Sequence, residues 1–225
     1  MKKSKSITRS MFAAWLAVLL AGTQPLATAE TSLLNDAARD WNFRVYLDNK
    51  AIGYHNFSLA RDDEQKTLLT EAQFDVKFLF VTVYRYRHRN AETWDGRCLQ
   101  SIDAKTNANG DRFVVQGRQV DDEFALTTEE AKQIPSDCVM TFAYWDPTFL
   151  DQQYLLNSQT GSYTPVDVEP LGEDTLNVKG SEVVADRYRI RTENAEVEVW
   201  YSKQQEWVGL QSTTKEGRKI RYELV

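Results

Sequence analysis

From Trp41 onward the chain alternates apolar and polar residues with a period of two, and no other feature constrains its fold as strongly. Successive side chains of a strand point to opposite faces, so this pattern builds half-buried strands. Trp41, Phe43, Val45 and Leu47 share one face, Asp48-Asn49-Lys50 supplies turn residues, and Ile52, Tyr54 and Phe57 carry the chain back as a first hairpin. Residues 67–89 form the longest strand candidate. Its even positions read Val76, Phe78, Phe80, Thr82, Tyr84 and Tyr86, and its odd positions read Leu79, Val81 and Val83, then Arg85, Arg87 and Arg89. A strand that is apolar on both faces in its middle, then aromatic on one face and basic on the other, predicts a sheet that curves around something rather than a flat sandwich.

Local signals divide the rest of the chain. Asn107-Ala108-Asn109-Gly110 is a turn between Leu99–Lys105 and Arg112–Gln116. A two-residue loop at Glu193-Asn194 pairs Arg191 with Glu196, Ile190 with Val197, Arg189 with Glu198 and Tyr188 with Val199. Opposite charges and apolar partners then meet at every rung, which is how cross-strand pairs fix register. A loop at Lys215-Glu216-Gly217 aligns Leu210 with Tyr222 and Val208 with Leu224. One segment departs from the pattern. Asp146-Pro147, followed by Phe149, Tyr154, Leu155 and Leu156, predicts a capped short helix near 147–157, with Pro at the first helical position.

The first 29 residues point to an address. Lys2, Lys3, Lys5 and Arg9 precede an apolar run from Met11 to Ala21, and Ala27-Thr28-Ala29 is a small-x-small cleavage pattern. We read a signal peptide cleaved after Ala29, a periplasmic location, and residues 30–225 as a single β-rich domain. The leader holds four of the 27 Lys and Arg and no acid, so 23 basic residues face 33 acidic ones in the remainder. That balance opposes nucleic acid and anionic headgroups, which reward basic clusters. The two cysteines, Cys98 and Cys138, read as a disulfide in an oxidising compartment, with two buried thiols as the alternative.

Motifs that carry chemistry are scarce. The two histidines, His55 and His88, stand on different strands, and no His-x-His, His-Glu-x-x-His or Cys-x-x-Cys spacing occurs, so no metal site is expected. His88 reads as a solvated strand-end residue. No Gly-x-Ser-x-Gly elbow or phosphate-cradling glycine loop is present, and no cofactor is expected. Asp146 and Asp151 have the residue type of a glycosidase acid pair, but helix capping accounts for Asp146. Asp121-Asp122-Glu123 lacks the glycine and spaced oxygens of a calcium loop and reads as a solvated turn.

Two features rise above this background. The ladder Arg85, Arg87, Arg89 either holds an anionic headgroup or pairs with acids on a neighbouring strand, as Arg189 and Arg191 do in the hairpin above. The aromatic surplus has the composition of a lined cavity as well as of a core. The candidate ligand-binding residues are therefore Phe78, Phe80, Tyr84, Tyr86, Arg85, Arg87, Trp145 and Trp200.

Val199-Trp200-Tyr201, Trp207-Val208-Gly209-Leu210, Gly217 and the closing Ile220-x-Tyr222-x-Leu224 resemble the ending of a family of exported bacterial proteins of unknown function. Phe142-Ala143-Tyr144-Trp145-Asp146-Pro147, then Leu155-Leu156-Asn157 and Thr160-Gly161, are similar to that family too. The resemblance implies a β-rich periplasmic domain and carries over no catalytic residue.

The expected fold is all-β: a strongly curved antiparallel sheet of about ten strands, open or barrel-like, with one short helix. The expected function is a non-enzymatic periplasmic binding or carrier protein for a hydrophobic or amphipathic, lipid-like ligand. The alternatives are an envelope protein-interaction or assembly factor without a small-molecule site, and a periplasmic enzyme using scattered carboxylates, Tyr or Arg. An integral outer-membrane barrel is disfavoured, because the strands lack a continuous lipid-facing band.

Overall fold

Paired alternation of the kind seen from Trp41 produces one large sheet in the computed structural model, which describes residues 38–62, 65–78, 80–128, 131–214 and 217–225. The segment read as a leader, with its expected cleavage point after Ala29, and residues 215–216 of the last loop lie outside the described residues. The strands are β1 (Arg39–Leu47), β2 (Lys50–Asp62), β3 (Gln65–Phe78), β4 (Val81–Asp95), β5 (Cys98–Ala108), β6 (Asp111–Val120), β7 (Glu123–Thr127) and β8 (Ala131–Ile134). After a 3-10 helix at Pro147–Asp151 come β9 (Tyr154–Leu156), β10 (Tyr163–Pro165), β11 (Asp167–Val178), β12 (Ser181–Arg191), β13 (Glu196–Ser202), β14 (Trp207–Thr213) and β15 (Lys219–Leu224).

Thirteen strands make one antiparallel sheet in the order β11-β12-β13-β14-β15-β1-β2-β3-β4-β5-β6-β7-β8, and β9 and β10 form a separate pair. The order does not close on itself: β11 and β8 remain edges. The sheet is nevertheless strongly curved, because widely separated strands reach the same inner segment. Leu99 of β5 bonds Val139 through the backbone, while Tyr201 of β13 donates its hydroxyl to the Tyr144 carbonyl at 2.6 Å. Trp94 of β4 packs edge-on against Trp145, and Trp207 of β14 packs against Tyr144. Residues 139–156 therefore lie inside the curl, where Val139, Met140, Phe149, Leu155 and Leu156 join the main core. Register shifts interrupt five of the ladders, and such bulges bend strands and raise their twist. Burial of side chains such as Trp94, Trp207, Phe43 and Phe124 drives the curling, at roughly 1.5–3 kcal/mol for each large apolar group.

The hairpin registers read from the sequence are those of the structure. Arg191↔Glu196, Ile190↔Val197, Arg189↔Glu198 and Tyr188↔Val199 pair across β12 and β13, and Leu210 faces Tyr222 across β14 and β15. Trp41, Phe43, Val45 and Leu47 are all buried. Cys98 and Cys138 form a disulfide.

Two elements differ from expectation. Residues 67–89 fall in two strands, β3 and β4, paired with each other from Gln65↔Asp95 to Phe78↔Val81. The reversal falls in an apolar run without Gly, Pro or Asn, so nothing local marks it. The helix stops at Asp151. Asp146 caps it, accepting from the Thr148 amide at 3.1 Å, and Pro147 stands at its start as expected. Tyr154, Leu155 and Leu156, however, extend as β9, pairing with β10 and bonding Met140. Burial of Leu155 and Leu156 against the sheet outweighs their helix propensity.

Candidate functional site

The inner face of β4 is polar where an ordinary core strand would be apolar. Tyr86, His88, Asn90, Glu92 and Trp94 succeed each other on that face, and His88, Asn90 and Glu92 are buried at 5%, 6% and 2% exposure. Ladder register decides what meets them. One row runs Phe43↔His55↔Ala72↔His88↔Thr106, placing the two histidines on either side of Ala72. Alanine leaves space between the rings, whose centroids lie 6.5 Å apart at a steep angle. The next row runs Trp41↔Phe57↔Thr70↔Asn90↔Ala104. Residues 141–145 and 157–159 lie over these rows and enclose a cavity of about 180 Å³, lined by His55, Phe57, Thr70, Tyr86, His88, Asn90, Glu92, Thr141, Tyr144, Trp145 and Gln159, among others.

The polar atoms inside divide into satisfied and unsatisfied groups. Glu92 accepts from Asn90 Nδ2 at 2.8 Å, Trp94 Nε1 at 3.1 Å and Thr141 Oγ1 at 3.4 Å. His88 Nδ1 bonds Thr106 Oγ1 at 2.8 Å, and the Tyr86 hydroxyl donates to Gln159 Oε1 at 3.0 Å. Both ring nitrogens of His55, Asn90 Oδ1 and Trp145 Nε1 are buried without a protein partner. Buried polar groups are nearly always hydrogen-bonded, so unpaired atoms gathered along one cavity mark a place where a guest group gains bonds.

Burial also sets the charge state. It pushes the His55 imidazole down to about 3, helped by its neighbour His88, and it pushes His88 down to about 4. Both rings are therefore neutral near pH 7. Burial pushes the Glu92 carboxyl up to about 7 against the lowering effect of its three donors. The phenols of Tyr86, Tyr144 and Tyr222 are raised above their ordinary range by the same desolvation. Near pH 7 the cavity is thus a hydrogen-bonding slot with aromatic walls, two neutral imidazoles and a carboxyl close to its midpoint. Among the described residues no group of three His, Cys, Asp or Glu is placed to hold a metal ion.

The residues singled out from the sequence are dispersed. Tyr86 and Trp145 line the cavity. Phe80 is fully exposed at the β3–β4 tip, with Tyr84 exposed beside it, and Phe78 ends β3. Arg85 and Arg87 project from the opposite face of β4 and are paired: Arg87 Nη2 bonds both Asp75 oxygens, at 3.1 and 2.9 Å, and Arg85 Nε bonds Asp75 at 3.3 Å. Arg89 pairs with Glu71 at 3.2 Å. The ladder is therefore salt-bridged. Trp200 is buried in a separate cluster with Ala185 and Val208, its Nε1 donating to Asp174 and the Arg187 guanidinium lying over its ring. Strand alternation gives the inner face to Val199 and Tyr201 and puts Trp200 on the outside, where Leu176 and Val178 cover it.

His55, Asn90 and Glu92 were not singled out, and His88 is buried rather than solvated. The signal that could have found them is the run His88-Arg89-Asn90-Ala91-Glu92-Thr93-Trp94, in which the polar residues keep step with the aromatic ones on a single face.

A large, open, inwardly curled antiparallel sheet of this kind defines the class of β-barrel-like proteins. Within that class the chain belongs to the family described as a domain of unknown function, DUF6134, whose family model matches residues 43–225. Its fold is similar to the crystal structure of a beta-barrel-like protein of domain of unknown function DUF1849 from Brucella abortus, with a TM-score of 0.60 at 8% sequence identity over 83% of this chain and 94% of that chain. A search of curated proteins finds no match.

Proposed function

We propose that this chain is an exported binding protein that seats one end of a small amphipathic molecule in the cavity between β4 and residues 141–159. The observation that carries this reading is the set of unpaired polar atoms of His55, Asn90 and Trp145 gathered on one aromatic-walled space. Neutral imidazoles offer one donor and one acceptor each, so a hydroxyl, amide or protonated acid satisfies them without adding a charge beside Glu92. The volume equals that of about six water molecules, which suits a head group or short chain end rather than a whole lipid. The leader pattern supports export to the periplasm with cleavage after Ala29, and the Cys98–Cys138 disulfide fits an oxidising compartment.

The test is native mass spectrometry of protein purified from the periplasm, followed by lipid extraction and re-exposure to envelope extract. A stoichiometric apolar or amphipathic adduct is expected. Trp145→Phe, which keeps the ring but removes the donor, should weaken its retention about tenfold, the value of one buried hydrogen bond. A clean apo mass that envelope extract does not change would overturn the proposal. An enzymatic role is the second reading, favoured by the clustering of Glu92, His55 and His88, three perturbed groups in one cavity. Conversion of the bound molecule over time would distinguish it from simple carriage.

A further inference from the structure

The interior cavity concentrates the unmet polar atoms of the molecule. Six buried side-chain polar atoms lack a partner among the described residues, and four of them, Nδ1 and Nε2 of His55, Asn90 Oδ1 and Trp145 Nε1, belong to residues that line it. Their chemistry is balanced. The Trp145 indole only donates and Asn90 Oδ1 only accepts, while a neutral imidazole does one of each, so a guest must meet two donors and two acceptors. Asn90 is oriented for this role, because its Nδ2 is committed to Glu92 at 2.8 Å and its oxygen is left over. The atoms are also spread out. His55 stands on β2 in the row Phe43↔His55↔Ala72↔His88, Asn90 stands on β4 in the row Phe57↔Thr70↔Asn90, and Trp145 packs on Trp94. Two strand spacings, about 10 Å, separate the backbones of His55 and Asn90. A single carboxyl, amide or hydroxyl does not serve both ends of such a slot.

Charge narrows the guest further. Among the described residues no Lys or Arg lines the cavity, and Glu92 is its one acid. Lys66, which lies over the Trp145 ring, is held by the Gly96 carbonyl at 2.8 Å and by Asp146 at 4.0 Å. A carboxylate or phosphate would therefore enter beside an acid with no cation to pair with it, and it brings no proton for Asn90 or His55. An ammonium would find Glu92 already accepting three hydrogen bonds, and it offers nothing to the Trp145 N–H. An ester or ketone accepts but does not donate. A run of hydroxyls does both: each supplies one donor and two lone pairs, and the carbons between them lie against the rings of Phe57, Tyr86 and Trp145. The volume of about 180 Å³ admits a glyceryl group or one sugar ring. We propose that the polar end of the ligand is a neutral polyhydroxyl group, seated with its hydroxyls on His55, Asn90 and Trp145. This rests on the carrier reading above and adds to it the class of head group.

Isothermal titration of the purified protein at pH 7 tests it, with eight-carbon amphiphiles that differ in the head, each below its critical micelle concentration. Monooctanoylglycerol and octyl glucoside carry the hydroxyls, as a glyceryl or a sugar source, and octanoate, octylammonium and methyl octanoate are the comparisons. One of the hydroxylic compounds is expected to bind about tenfold or more tighter than every comparison, the effect of one buried polar atom left unpaired, and the tighter of the two names the source. His55→Phe keeps a ring against Phe57 and removes two of the four unpaired atoms. It should weaken the hydroxylic compound about tenfold and leave methyl octanoate unchanged, so that the preference collapses. Trp145→Phe, which removes only a donor, should shift the preference in the same direction and serves if the first variant does not fold. Octanoate or octylammonium binding as tightly as the hydroxylic compounds, or a preference that neither variant reduces, would overturn the head-group proposal and leave the carrier reading standing. Binding of none of these compounds would overturn it as well. Together with a clean apo mass it would take the carrier reading too, water alone then serving the unpaired atoms.

Discussion

Replacing Glu92 by glutamine should stabilise this protein at alkaline pH and leave it nearly unchanged in acid. Glu92 is 2% exposed, and burial raises its carboxyl from the ordinary 4.5 to about 7. Between those values the folded chain holds a proton that the unfolded chain has lost. At this group the unfolded state binds fewer protons, so the contribution of Glu92 falls as pH rises through this window and then levels off above the folded value, while the lowered imidazoles of His55 and His88 act in the opposite sense below the ordinary 6.5. A shift of that size corresponds to roughly 3 kcal/mol, of which roughly 2–3 kcal/mol develops between pH 5 and pH 8. Glutamine removes the ionisation and can keep the bonds. Its carbonyl accepts from Trp94 Nε1 and Thr141 Oγ1, and its amide donates to Asn90 once that side chain turns its unpaired Oδ1 inward. Urea or thermal unfolding of both proteins at pH 5 and pH 8, with the disulfide intact, is the measurement. The expected result is a Glu92→Gln midpoint higher than wild type by roughly 5–10 °C at pH 8 and close to it at pH 5, the lowered imidazoles of His55 and His88 acting alike on both proteins. A difference between the two proteins that is the same at pH 5 and pH 8 would show that Glu92 is not held neutral by burial.

Two further substitutions probe the frame around the site. A Cβ on Gly53 would lie 1.8 Å from the Gln73 carbonyl oxygen, so Gly53→Ala must push β2 and β3 apart and should cost about 2–3 kcal/mol in chemical denaturation; a change under about 0.5 kcal/mol would refute the close approach. The Cys98–Cys138 bond spans 40 residues and ties the start of β5 to the segment that fills the interior, beside the Leu99–Val139 backbone bond. Replacing both cysteines by alanine should lower stability by about 2–4 kcal/mol, with a matching loss when the wild-type protein is reduced; denaturation curves that coincide with and without reductant would contradict this.

The parts of the fold legible in the sequence are those that neighbouring residues specify together. Arg191 and Glu196, or Ile190 and Val197, can only face each other around a short loop, and Asp48, Asn109 and Gly110 accept the positive φ values that tight turns need. The β3–β4 turn was hidden because its residues carry no such chemistry, and an apolar run reads as uninterrupted strand. Leu155 and Leu156 read as helix for a related reason: local propensity is weak, and burial against a distant sheet overrides it.

By itself, the sequence determined an all-β chain, its C-terminal registers, the cap of its short helix and its paired cysteines, because each depends on residues near one another or on a count. The tertiary structure alone decided that thirteen strands curl around residues 139–156, that Trp200 lies outside while Trp145 lies inside, and that His55 and His88 meet across Ala72. Those outcomes depend on which strands become neighbours and how far the sheet coils. Strand alternation supplies two faces for every residue, and only the assembled sheet decides which of them becomes the interior.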